Sequence, residues 1–175
     1  MDLKEYIRSI PDYPKKGILF RDITTLIKNE KAFTYCIDQI ADKSKEFKFN
    51  KIAAVESRGF VFASALSYIL KKPFILLRKK NKLPAETHSV DFELEYGTAT
   101  IEVHKDSIDK DDSVIVIDDL IATGGTADAA AELIKISNGK VAGFIFVINL
   151  FDLGGSDKLI KQGYKVKNLI NFPGH

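Results

Sequence analysis

The chain has 175 residues, 45% hydrophobic and 29% charged, the proportions of a globular protein of one domain spanning 1–175. Lysine and arginine (26) nearly balance aspartate and glutamate (24), and a net charge of +2 argues against a charge-driven nucleic-acid partner. A lone Cys36 excludes an internal disulfide framework and suits a reducing, cytoplasmic setting, while no apolar run reaches the ~18 residues of a membrane span.

In chain order, residues 31–47 carry Phe33, Ile37, Ile40 and Ala41 on one face and predict a covering helix. Runs rich in Val, Ile and Phe at 52–55, 74–77, 114–117 and 141–150 predict strands. Their apolar continuity, without period-two alternation, implies a sheet covered on both faces. Helical spacing at 60–70 and 127–136 supplies further cover, and Asn138-Gly139 ends the second of these helices. The pattern is α/β with a mainly parallel central sheet flanked by helices. Residues 79–97 are polar and long for a plain connection, the mark of a functional lid. Within them, 90–94 alternates apolar and acidic residues and should pair with 99–103 around Tyr96-Gly97 as a β-ribbon.

The most informative segment runs from Val114 to Thr126. Four β-branched residues lead into Asp118 and Asp119, then into Ala122-Thr123-Gly124-Gly125-Thr126, which opens a helix. In parallel sheets ligands bind beyond the carboxyl ends of the strands. A Gly-rich turn there exposes backbone amides at the positive end of a helix, which suits a phosphate. The segment lacks the Gly-Lys-Ser/Thr of a Walker loop and the third glycine of a dinucleotide fingerprint. A phosphate would be repelled by two carboxylates, so Asp118 and Asp119 should face something else. Ribose hydroxyls, directly or through Mg²⁺, are the natural partner. The plainer reading is that Asp-Asp ends a strand and Thr-Gly-Gly caps a helix.

This strand, acid pair and loop resemble the phosphoribosyl-pyrophosphate (PRPP) motif of the type I phosphoribosyltransferases. Further stretches resemble the branch of that family that acts on adenine: Pro11 to Thr24, Glu56-Ser57-Arg58-Gly59-Phe60, Arg78 to Pro84, and Leu94-Glu95-Tyr96-Gly97. The resemblance implies transfer of the 5-phosphoribosyl group from PRPP to adenine, giving AMP and pyrophosphate, with Mg²⁺ as cofactor and a homodimer as the assembly. It implies a small N-terminal hood over the base (1–30) and a flexible β-ribbon lid (79–97). Asp118 and Asp119 would hold the ribose, and Ala122, Thr123, Gly124, Gly125 and Thr126 the 5-phosphate. Ser57, Arg58, Gly59, Arg78, Lys82 and Tyr96 would bind pyrophosphate.

Several of these positions have plainer readings from the residues alone. Ser57-Arg58-Gly59 is also an ordinary helix start with an exposed arginine. The run Arg78-Lys79-Lys80-Asn81-Lys82 is also a solvated charge run. Phe20 alone reads as core, whereas the resemblance has it pack on the purine while backbone groups of Leu19 and Arg21 read the purine's polar edge. Glu95 is either an exposed acid on the ribbon or, by resemblance, the residue that manages the base proton. Tyr96 either contacts pyrophosphate or merely fixes the turn. Ala63 and Ala85 stand where the family often has glycine, which bears on lid flexibility rather than chemistry. His88, His104 and His175 show no triad or metal spacing.

Overall fold

The computed structural model describes residues 1–94 and 97–175. Its elements are β1 (Arg8–Pro11), β2 (Leu19–Asp22), α1 (Thr24–Ile27), α2 (Glu30–Ser44), β3 (Lys51–Val55), α3 (Arg58–Leu70), β4 (Phe74–Lys79), β5 (Thr87–Leu94), β6 (Gly97–His104), β7 (Ser113–Ile121), α4 (Gly125–Ile136), β8 (Lys140–Leu150), α5 (Gly155–Lys161) and β9 (Val166–Phe172). Seven strands form one sheet in the order β5-β6-β4-β3-β7-β8-β9. From β4 to β9 all neighbours run parallel, and β6 and β5 extend the β4 edge antiparallel.

The apolar continuity of the central strands follows from this layering. Ile52, Ala54, Ile115 and Ile117 face a core completed by α2 and α3. Their neighbours Ala53, Val55, Val114 and Val116 face a second core completed by α4 and α5. With helices on both faces, successive side chains are buried whichever way the pleat points them. Helix α2 starts at its Asn29 cap, whose side chain accepts the Ala32 amide at 3.0 Å. It stops three residues short of the expected end, because the chain turns so that Phe47 packs under Gly143.

Two differences from expectation matter for function. Strand β7 continues past Ile117 to Ile121, so Asp118 and Asp119 lie inside a strand rather than at its solvent-facing end. Asp118 pairs with Phe146 of β8, and the pairing persists to Ile121. The ribbon of β5 and β6 forms with Val90 opposite Ile101, as expected, but it is anchored: β6 pairs with β4, and Val90 and Phe92 pack on the α4 side.

Candidate active site

The carboxyl ends of β3 and β7, the start of α3 and the turn into α4 enclose a cleft of about 460 Å³. Gly59, in the first turn of α3, allows the helix to close on β7: a Cβ there would stand 2.7 Å from Asp118 Oδ1 and 3.1 Å from the Ile117 carbonyl. Asp118 Oδ1 accepts the Asp119 amide at 2.8 Å. Asp119 is 3% exposed, and its Oδ2 lies 3.0 Å from Arg58 Nε without the alignment of a hydrogen bond. Burial, reinforced by the neighbouring Asp119 charge, pushes the Asp118 carboxyl well above its ordinary value. Burial also raises Asp119, with Arg58 opposing it. The cleft therefore holds two acids short of positive partners.

The loop after β7 is built for close approach. Gly124 caps α4 with φ of +90°, a conformation that favours glycine, and a Cβ there would meet Gly155 Cα at 3.3 Å. Gly155 donates its amide to the Ala122 carbonyl at 3.0 Å, so the start of α5 buttresses the loop from behind. By helix geometry the first amides of α4 have no acceptor within the helix, and they open toward the cleft together with Thr123 and Thr126. The tip of β5 reaches the same loop: the Glu93 carbonyl lies 3.5 Å from where a Gly125 Cβ would sit.

On the other wall, Ser57 caps α3 and Arg58 begins it. The Arg58 guanidinium sits 5.5 Å from the Phe20 ring centroid and also meets Asp119, whose Oδ2 is 3.0 Å from Nε. Phe20 also meets Tyr13 edge-on at 5.2 Å. Of the cations at 78–82, Lys79 lines the cleft, whereas Arg78 is engaged by Glu56 at 3.1 Å and donates to the Lys82 carbonyl. Burial alone would raise Glu56, but the Lys79 amide and Arg78 hold its carboxyl below the ordinary value. Lys82 is exposed in the turn after β4, and neither it nor Arg78 is among the described residues lining the cleft. Leu19, Phe20 and Arg21 lie in β2 of the separate two-stranded sheet. Glu95 and Tyr96 lie outside the described residues.

A model of the phosphoribosyl transferase domain matches residues 22–172. The adenine phosphoribosyltransferase of Pelagibacter ubique is 78% identical over 175 residues, covering all of both chains. The chain belongs to the adenine phosphoribosyltransferase family. Among solved members, the Thermoanaerobacter pseudethanolicus enzyme superposes with a TM-score of 0.94 at 47% identity, covering 98% of each chain. The Saccharomyces cerevisiae enzyme, solved with an imino-altritol bisphosphate and adenine, gives 0.88 at 35% identity and 97% coverage of each chain.

Three features of this family member were not legible in its sequence. Glu56 lies within the Glu56-Ser57-Arg58-Gly59-Phe60 stretch with no pattern of its own, yet it organises Arg78 and the Lys79 amide at the cleft wall. Gly155, more than thirty residues after the acid pair, supports the loop. Phe172 and Pro173, at an uninformative C-terminus, contact Arg21. Each works through a contact between distant segments, and no local pattern announces it.

Proposed function

We propose that the chain salvages adenine by displacing pyrophosphate from PRPP with the base, forming AMP and inverting the anomeric carbon. The observation that carries this reading is the acid pair of β7, Asp118 half-buried and Asp119 buried, beside the Gly-rich N-terminus of α4, one cleft with complementary places for ribose and phosphate. The amides and hydroxyls of 122–126 take the 5-phosphate. Asp118 and Asp119 hold the ribose hydroxyls and set negative potential beside a ring that becomes cation-like in the transition state. Arg58, released from Asp119, and the Ser57–Gly59 amides receive the pyrophosphate, assisted by Lys82 as the lid closes. Arg78 bears on that group by fixing Glu56 and the wall. Tyr96 contacts the pyrophosphate, and Glu95 manages the proton of the attacking base nitrogen.

Phe20 packs on the purine, and backbone groups of Leu19 and Arg21 read the purine's edge. Residues 1–30 are the hood and 79–97 the lid, which keeps water from PRPP. Among the described residues no cluster of three or more His, Cys, Asp or Glu forms a metal cage. The cleft instead offers two carboxylates, one with a buried oxygen lacking a hydrogen bond. That donor set fits Mg²⁺, which is commonly bound through one or two carboxylates plus substrate phosphates. When bound with PRPP, Mg²⁺ would neutralise charge on the departing diphosphate, with Asp118 and Asp119 as its protein-side neighbours.

The assembly is a homodimer. Support comes from Tyr68 and Ile69 on α3 and Leu76 on β4, large apolar side chains that stand exposed. A cytoplasmic location is supported by Cys36, whose thiol burial pushes up to about 12 and leaves as packing rather than chemistry. The described helices include none long and apolar enough to cross a membrane. The deciding experiment is AMP formation from adenine and PRPP with and without Mg²⁺, and with hypoxanthine and guanine as competitors. Turnover confined to adenine and abolished by chelation supports the reading, whereas preference for a 6-oxopurine overturns the base assignment.

A further inference from the structure

We propose that the side chain of Arg21, clamped to Phe172 and Pro173 at the end of β9, is a positioning group that sets the affinity for adenine without itself touching the base. The inference rests on the reading of Leu19–Arg21 as the base site. Strand alternation separates two jobs along β2: Phe20 turns toward Arg58 and the cleft, and Arg21 turns the other way. Arg21 is only 6% exposed. It donates to Ser9 Oγ, directly opposite on β1, at 2.5 Å, and to the Pro173 carbonyl at 3.0 Å. Its guanidinium lies 4.4 Å from the Phe172 ring centroid, and Lys4 Nζ approaches the same ring at 5.6 Å. The Gly174 amide, bonded to Asp152 at 2.6 Å, holds the far side of that segment.

The need for such a clamp follows from the hood itself. A two-stranded sheet is marginal alone, so its position relative to the cleft depends on what ties it down. Arg21 makes that tie across 152 residues of sequence, and its Nε is left buried without a hydrogen-bond partner. An unpaired buried donor is costly, and its retention fits a side chain held for placement rather than for stability. A base read through backbone groups is sensitive to where that backbone sits, because no flexible side chain can compensate for a shift of the strand.

The test is steady-state kinetics with adenine and PRPP varied separately, together with melting temperatures, for Arg21→Lys, Phe172→Leu, their double variant, and Phe20→Ala. Lysine keeps the charge but lacks the fork that spans Ser9 and Pro173. Arg21→Lys should raise KM for adenine about tenfold, the equivalent of one lost hydrogen bond from a charged group. KM for PRPP and kcat should stay near the parental values. Phe172→Leu should move the same constant in the same direction, and the double variant should cost less than the product of the two, because the residues act as one unit. Phe20→Ala, which leaves the clamp intact, separates the two ideas. If it raises KM for adenine while Arg21→Lys and Phe172→Leu do not, the clamp is wrong and the base site stands. If Phe20→Ala leaves that constant unchanged, the base-site reading fails and the clamp with it. A parallel rise in both KM values with a lowered melting temperature assigns Arg21 a structural role only and overturns the clamp, and Phe172→Leu still decides should Arg21→Lys fail to fold.

Discussion

Gly59→Ala is the most direct probe of how α3 meets the acid pair. At a free site in a helix, replacing glycine by alanine stabilises by about 0.5–1 kcal/mol. Here the new Cβ would stand 2.7 Å from Asp118 Oδ1, 3.1 Å from the Ile117 carbonyl and 3.3 Å from Ala54 Cβ. Asp118 can retreat only by giving up the Asp119 amide, and the backbone carbonyl and Ala54 belong to the central sheet. Overpacking of this kind costs about 1–3 kcal/mol, which outweighs the gain in helix propensity. The balance is a loss near 1 kcal/mol, or a melting temperature about 2–4 °C lower for a chain of this size. Because the displaced group is Asp118, kcat/KM for PRPP should fall more than KM for adenine changes. Differential scanning calorimetry and initial-rate kinetics on the purified variant check both parts. A melting temperature that rises, with unaltered kcat/KM for PRPP, would refute the claim that glycine is needed for α3 to close on β7.

Asp118→Asn should cut activity about 10²–10³-fold, as expected for one preorganised electrostatic contact. The same change should stabilise the empty enzyme: burial and Asp119 raise the Asp118 carboxyl, so the folded state binds its proton more tightly than the unfolded state. Parental stability then falls as pH rises from the ordinary carboxylate range through the raised value, and the asparagine variant should lack that decline in thermal melts across pH. A variant no more stable than the parent at neutral pH would contradict the strained acid pair. Gly124→Val forces φ of +90° on a β-branched residue and drives its Cβ against Gly155, so PRPP and AMP binding should weaken more than adenine binding in calorimetric titrations. Equal loss for all three ligands would indicate misfolding instead. Glu95→Gln should slow single-turnover AMP formation by about 10²–10⁴-fold if the carboxylate manages the base proton, while PRPP affinity changes little. A parental rate across pH would mean the proton leaves by another route.

The local patterns of this chain carried its class and the identity of its chemistry. Continuous β-branched runs separated by helix-period segments specify a sheet covered on both faces, because only two-sided burial rewards that composition. The acid pair followed by Ala-Thr-Gly-Gly-Thr is local for the same reason: a phosphate cradle is made of consecutive amides, so its parts are neighbours in sequence. What required the folded chain was every relation between segments far apart. The pairing of β7 with β8 extends the strand through Asp118 and Asp119, burying Asp119 and half-burying Asp118, and turns two acids expected at a strand end into a strained pair. The Glu56–Arg78 ion pair, in a run of four cations among five residues, sorts one engaged arginine from the lysines around it. Gly155 supports a loop thirty residues earlier, and Arg21 reaches the opposite end of the chain. Such contacts depend on register and on which faces meet, and burial then decides which charges are costly. Those quantities exist only once the sheet has assembled.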